Sequence, residues 1–504
     1  MIPYPARLDD VPGGLAVRLA PGFVIDALAT FDTAWLRAAI GARAGWDDGI
    51  HSVAHDAATV SLRLAEEASE HPEGYRLRAD GDRIDIAAPT EAGLFYGAQT
   101  LVQLLRPAPG DGWRVPAIDI EDAPRFAHRG LMLDVARHFF GVETVCALID
   151  RAAALKLNTL HLHLTDDQGW RLHIDAWPRL TEVAASGSAN GDPGGFFTRE
   201  DYRGIVAHAA ARHMTVVPEI DMPGHTHAVG VAYPHLAAAP VLTDDLRAQA
   251  TELDQELPAA GEPYAGWAVG FSSLRIGDPR VEGFVRDVVA EVAALTPGPY
   301  VHIGGDEAHG TDPSDYAAFV RHAAEAVAAA GKTPIAWHEA GLVGGLPAGT
   351  VGQYWGLRSP VDGQDDAARA FDGGVILSPA DAVYLDMKYD GGTRLGLTWA
   401  DGPTSVERAY DWDPATVIDG LDEARVRGVE AALWTETIAT PADIDEMVFP
   451  RIATAAEIAW SPSSALAAER TWESFRVRVA ALEPLWHALG IGFFASPEIA
   501  RVTR

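Results

Sequence analysis

Eight short apolar strands separated by amphipathic helices, an earlier stretch lacking that alternation, and polar residues gathered at strand ends together predict an α/β chain. The expected architecture is a (β/α)8 TIM-barrel catalytic domain at 123–504, preceded by a small non-catalytic α+β domain at 1–122. The length of 504 residues exceeds that of most single domains and suits two, one of them a barrel.

In the first part, EGYRLRA and DRIDIAA alternate around Asp80-Gly81-Asp82, a hairpin signal. A helix is expected after Pro89-Thr90, with Leu94, Ala98, Leu101, Val102 and Leu105 on one face. RPAPGDGWRVPA, from Arg106, is rich in Pro and Gly and reads as a domain boundary. The strands expected beyond Arg125 are RGLMLDV from Arg129, NTLHLHLT from Asn158, TVVPEID from Thr215 and YVHIGG from Tyr300. TPIAWHE from Thr333, TVGQYW from Thr350, VILSP from Val375 and VEAALWTE from Val429 complete the set. Helices fall between several of them, at 198–213, where Thr198 and Asp201 suggest a capping box, and at the Ala-rich 314–330. Long loops follow the third and seventh strands, and the first of them, 238–270, is expected to wall a cleft.

Composition narrows the function. Hydrophobic residues make up 48% of the chain, enough for a large core, yet no run reaches membrane-span length. The start, MIPYPARLDD, has neither a basic nor an apolar signal region, so a cytoplasmic location is expected, or a secreted one if the sequence is a processed form. Cys146 is the single cysteine, which rules out an intramolecular disulfide and a thiol-ligated zinc. A net charge of −32 repels phosphate backbones and argues against nucleic acid as a partner; no membrane partner is expected either.

The chemistry centres on VHIGGDEAHG, where Gly304-Gly305 end a strand just before Asp306 and Glu307. The glycines remove side-chain bulk and let a ligand approach the backbone. On its own the acid pair could equally sit on a solvated loop. Asp221, Asp306, Glu307, Trp337, Trp355 and Glu436, however, all fall at or just beyond strand C-termini, the face on which barrel enzymes build their sites. Trp337, Trp355, Trp399 and Trp434 reach that face from different strands or loops, and an aromatic box with a few acids suits a sugar. Any one of these tryptophans could be core. Asp221 and His225, in PEIDMPGHTH, could form a carboxylate-held histidine aimed at Glu307, or simply a satisfied structural pair. His161 and His163, with His225 and His227, raise a metal alternative, but no third clear ligand follows and no metal is expected. Two independent glycosidase carboxylates stand about 5 Å apart for retention and about 6.5–9.5 Å for inversion. Adjacent residues diverge and suit that scheme poorly. One acid could instead protonate the leaving group while the other orients a nucleophile supplied by the substrate.

HRGLMLDVARHFF, NTLHLHLTDDQGWRL, VVPEIDMPGHT, YVHIGGDEAH, QYWG, ILSPADAVYLDMKY and GVEAALWTE together resemble the β-N-acetylhexosaminidases of glycoside hydrolase family 20, the bacterial ones above all. The resemblance covers nearly everything beyond Arg125, with a weaker likeness of the first domain to the one preceding the barrel in that family. It implies an exo-acting enzyme that needs no cofactor. Such an enzyme removes terminal β-GlcNAc or β-GalNAc from oligosaccharides or glycoconjugates with retention, the substrate's 2-acetamido oxygen attacking C1 to give an oxazolinium ion. By the same resemblance Glu307 is the general acid/base, Asp306 accepts the acetamido N–H, and Tyr384 donates to the acetamido oxygen. Trp337, Trp355 and Trp434 enclose the acetamido methyl, and Trp399 lines the cleft. Arg129 and Glu436 take O3 and O4, Asp386 takes O4 or O6, and Asp221 with His225 forms a relay toward Glu307. His227 stands where close relatives have Asn, and the 238–270 loop is long; both bear on leaving-group preference. A transglycosylase would share all these residues, and a catalytically weak glycan-binding relative would keep the tryptophans.

Overall fold

The computed structural model describes residues 1–28, 30–46, 59–108, 112–359 and 363–499. The chain divides into two compact units, one of 128–151 with 158–448, the other of 1–127, 152–157 and 449–504.

The larger unit is a closed barrel of eight parallel strands in sequence order. They run His128–Asp134, Thr159–His163, Thr215–Glu219, Tyr300–His302, Thr333–Trp337, Val351–Tyr354, Val375–Leu377 and Val426–Leu433, matching the eight expected segments. The last strand closes on the first, with Arg129 opposite Val429 and Leu133 opposite Leu433. Both faces of these strands are buried, the polar residues of HRGLMLD and TLHLH along with the apolar ones. Helices cover the outside, among them Arg199–Ala210, where Thr198 and Asp201 form the expected capping box. Val217, Ile335, Val351 and Ile376 form an apolar layer in the barrel, with Tyr300 packed against it. His161, Glu219, His302, Gln353 and Glu430 are also buried, so the core carries a polar layer as well. Gly130 makes room for it, since a Cβ there would stand 2.3 Å from Glu430 Oε2.

The smaller unit holds a six-stranded sheet in the order Arg7–Asp10, Ile118–Asp122, Tyr75–Asp80, Arg83–Ala88, Thr59–Leu64, Val24–Asp26. The expected hairpin is there, with Asp80 paired to Arg83 across Gly81-Asp82. The helix Glu91–Leu104 is capped by Thr90 and buried from Gly93 to Leu104, so it lies within the core and has no exposed face to oppose its apolar one. The stretch from Arg106 is no simple linker. Arg106–Pro107 and Trp113–Val115 pair as neighbouring strands of a small sheet completed by Val17–Leu19, while 109–111 lie outside the described residues. Residues 152–157 and 449–504 join this unit through a buried ionic knot. Asp122 receives hydrogen bonds from Tyr75 and Lys156 on one oxygen and from Ala6 N and Trp460 Nε1 on the other. Among the described residues, no helix is long and apolar enough to cross a membrane.

Candidate active site

The fourth strand ends in a backbone turn that only glycine makes easily. Gly304 and Gly305 have φ of 69° and 101°, and a Cβ on Gly304 would lie 1.7 Å from Asp221 Oδ1. The carboxylate thus packs directly on main chain, accepting from Gly305 N at 3.1 Å. Tyr316, on the helix Pro313–Ala329, donates to the Gly305 carbonyl at 2.5 Å and fixes the turn from the other side. Asp306 and Glu307 emerge from it into a cleft of about 530 Å³. Glu307 itself has φ 45°, a left-handed conformation uncommon for a non-glycine residue.

Tyr384, Asp386, Trp355, Trp399, Trp434 and Glu436 line the same cleft, as expected of them. Trp337 lies beneath, wholly buried, its ring 6.0 Å from that of Trp434 and its Nε1 donating to Glu219 at 2.8 Å. Tyr384 stands edge-on to Trp399 at 5.8 Å, and Trp399 edge-on to Trp355 at 5.9 Å. The four tryptophans therefore form a partly open aromatic cage beside the acid pair. Trp355 is held by Glu339, whose two oxygens each accept from its indole N–H at 3.1 Å. Burial, with the Asp306 charge adding to it, lifts Glu339 to about 8.

Two expectations need correction. Arg129 is at the beginning of the first strand, buried, with its carbonyl accepting from Asn158 N; it is not in the cleft. Arg137, just past that strand's C-terminal end, lines the cleft instead, 4.0 Å from Glu436 and over the Trp434 ring. The second concerns the relay. His225 Nδ1 bonds to Asp166 Oδ1 at 3.1 Å, not to Asp221, while its Nε2 lies 3.5 Å from Glu307 Oε2 and 3.6 Å from Asp306 Oδ2. Burial disfavours charge on His225, but Asp166, Asp306 and Asp221 outweigh it and hold the imidazole well above its ordinary pKa. Asp166 also takes Arg137 at 2.6 Å and His163 at 2.8 Å, and this cationic shell keeps it ionised against its burial.

Asp221 faces Asp306 instead. Burial, followed by the Asp306 charge, raises Asp221 well above the carboxylate range, so it carries the proton of a hydrogen bond between the two acids. Asp306 is lifted by burial, pulled back by His225 and raised again by Glu307, to about 6. Near neutrality Asp306 is an anion and Asp221 is its donor. His161 and His163 hydrogen-bond Glu430 and Glu219 at 2.8 and 2.5 Å; burial works against their charge, but these carboxylates outweigh it and raise both, His161 to about 9, while His161, Glu219 and His302 present ligand atoms within 4.8 Å of one another.

The 238–270 segment contributes Gln249, Glu252, Leu253, Trp267 and Val269 to the cleft wall and includes the helix Asp244–Glu252. His227 anchors it, donating Nε2–H to the Glu262 carbonyl at 2.7 Å. Trp267 Nε1 donates to Asn190, whose side chain donates in turn to the Glu436 carbonyl.

Comparison with known proteins agrees with this geometry. Residues 126–463 match the model of the glycosyl hydrolase family 20 catalytic domain, and residues 1–123 match that of the family's domain 2. A beta-N-acetylhexosaminidase of Cellulomonas fimi is 43% identical over 445 residues, which cover 88% of this chain and 84% of that protein. A beta-hexosaminidase of Vibrio furnissii is 31% identical over 90% of this chain and 75% of its own length. Among solved structures, a glycoside hydrolase family 20 beta-N-acetylglucosaminidase superposes with a TM-score of 0.91, 52% identity and 99% coverage of both chains. The Streptomyces plicatus N-acetyl-beta-hexosaminidase in complex with Thio-NAglucal superposes with a TM-score of 0.87 at 43% identity, covering 100% of this chain and 97% of that one. Since both domain models match in order along the chain and relatives of one activity align over most of both lengths, the chain belongs to glycosyl hydrolase family 20 and is a β-hexosaminidase.

Proposed function

We propose that this chain releases terminal β-linked N-acetylhexosamine from chitooligosaccharides and related glycans, with the substrate's acetamido group as nucleophile. One observation carries the assignment of roles. Among the described residues, Asp306 Oδ1 has no hydrogen-bond partner, although the residue is buried and opens into an aromatic cage. An anion so undersupplied suits an acetamido N–H and the positive charge that develops on that nitrogen as the oxazolinium forms. Tyr384, raised well above its usual pKa by burial, stays a hydroxyl and can donate to the acetamido oxygen, fixing its line toward C1. Trp337, Trp355 and Trp434 would enclose the methyl. Glu307 would protonate the glycosidic oxygen and then, as carboxylate, take a proton from water, with His225 and Asp166 behind it. Arg137, Glu436 and Asp386 would take the ring hydroxyls. The structure of a Streptomyces plicatus variant in complex with product GlcNAc supports that class of ligand.

Release of nitrophenol from the aryl N-acetyl-β-glucosaminide and from the plain β-glucoside, each with and without EDTA, tests this reading. Turnover of the acetamido substrate alone, unaffected by EDTA, is expected. Comparable turnover of the plain glucoside would remove the acetamido group from the mechanism, and loss with EDTA would return His161 and His163 to consideration.

A further inference from the structure

Behind the cleft, buried charges alternate through the barrel core. Glu430 takes His128 Nε2 at 2.8 Å, Gln353 Nε2 at 2.7 Å and His161 Nδ1 at 2.8 Å. His161 Nε2 lies 3.1 Å from Glu219 Oε2, the oxygen to which His163 Nδ1 bonds at 2.5 Å. His163 Nε2 continues to Asp166, and Asp166 to His225. The other oxygen of Glu219 holds Trp337 Nε1 at 2.8 Å, with His302 Nδ1 at 3.0 Å. One carboxylate, fully buried, therefore grips the floor of the cage with Oε1 and the root of the proton relay with Oε2.

We propose that Glu219 is a positioning residue which couples the two halves of the reaction: it sets the plane of Trp337 under the acetamido group and, through His163 and Asp166, how firmly His225 holds its proton beside Glu307. This rests on the hexosaminidase reading above and assigns Glu219 no contact with substrate. A carboxylate among imidazoles keeps His163 charged in a setting where burial alone would strip its proton. A charged His163 partly neutralises Asp166, so that Asp166 does not bind the His225 proton too tightly to share. The groups facing His225 are Asp166, Asp167, Asp221, Asp306 and Glu307; those facing Glu219 are His161, His163, His302 and Trp337, with Asp221 and Asp306 close by; His163 and Asp166 also face Arg137, whose Nη1 lies 3.2 Å from His163 Nε2 and 2.6 Å from Asp166. Without the Glu219 charge, only Asp166 is left to hold the His163 proton against burial and the Arg137 guanidinium 3.2 Å away, and His163 loses it. The positive charge nearer His225 then disappears with the negative one farther away, and His225 binds its proton more strongly.

The expected result for Glu219→Gln is that the alkaline limb of kcat/KM moves up by about one pH unit. KM for the acetamido substrate should rise as Trp337 loosens, and poor leaving groups should suffer more than nitrophenol. An unmoved limb, or one that moves down, overturns the proposal. His163→Gln should move the limb the same way and serves if Glu219→Gln does not fold. His302→Gln, acting on the other oxygen, should leave it in place; an equal shift there would mean general damage to the core and would also overturn the proposal. In the wild-type protein, imidazole NMR should find His163 doubly protonated at about pH 8, and a neutral ring would overturn the proposal without any variant. Failure of the wild type to hydrolyse the acetamido substrate would overturn the functional reading itself, a different result from normal turnover with an unshifted variant.

Discussion

Asp122 and Asp306 are both buried aspartates, one in each compact unit, and their hydrogen bonds differ sharply. Asp122 has four donors on its two oxygens, one of them the Lys156 ammonium, which also lies over the Tyr75 and Trp460 rings at 4.9 and 4.5 Å. Asp306 has a single shared proton from Asp221, a histidine 3.6 Å away and an open cleft. A buried carboxylate with all its lone pairs occupied has nothing left to offer a ligand. One that lacks donors is held at a cost in stability and becomes satisfied when a substrate arrives. The number of donors, rather than burial or charge, separates the structural acid from the reactive one.

The contrast should be most visible at the cleft. Glu307→Gln is expected to lower kcat/KM by about 10²–10⁴-fold on substrates with poor leaving groups and much less on activated aryl glycosides, measured side by side. Asp306→Asn should cost about 10²–10³-fold in kcat with binding retained. The wild-type acid limb near pH 6, below which Asp306 is protonated, should vanish with it. Asp122→Asn should reverse the pattern, removing about 3–5 kcal/mol of stability by stranding Lys156, while turnover per folded molecule is unchanged; denaturant titration and active-site-normalised rates separate the two effects. At Glu339 the effect depends on pH. Its folded pKa of about 8 lies above the ordinary 4.5, so its contribution to stability is present below about pH 4.5 and is lost as pH rises through 8. Glu339→Gln should therefore melt with wild type in acid and above it in mild alkali; equal melting at both pH values would refute the assignment.

Much of this is legible in the sequence alone. Strand period, the Gly304-Gly305 stop and the acids and tryptophans at strand ends are local signals, and they located the barrel and most of the cleft. Position relative to the strand already separates Arg129 from Arg137. Arg129 precedes its strand and Arg137 follows it, and in a parallel barrel only the second can reach the C-terminal face. The same rule that selected Asp306 would have selected Arg137. Asp166 was less accessible. It and Asp221 follow neighbouring strands, and which of them turns toward His225 depends on the turn Thr165–Trp170 and on the packing of Asp221 against Gly304, which no single-sequence period encodes. Glu219 and Glu430 carry a signal of their own: a charged residue inside an otherwise apolar buried strand needs a partner.

The left-handed main chain at Glu307, matched by φ 53° at His225, also constrains descent. Such a conformation strains most side chains, β-branched ones most of all, and is tolerated by Gly, Asn and Asp. At this position the backbone screens a replacement before chemistry does. Drift away from glutamate leads first to residues that cannot protonate a leaving group as it does, while the aromatic cage remains intact. A lineage that gave up hydrolysis here would more readily become a sugar receptor than acquire a different catalyst.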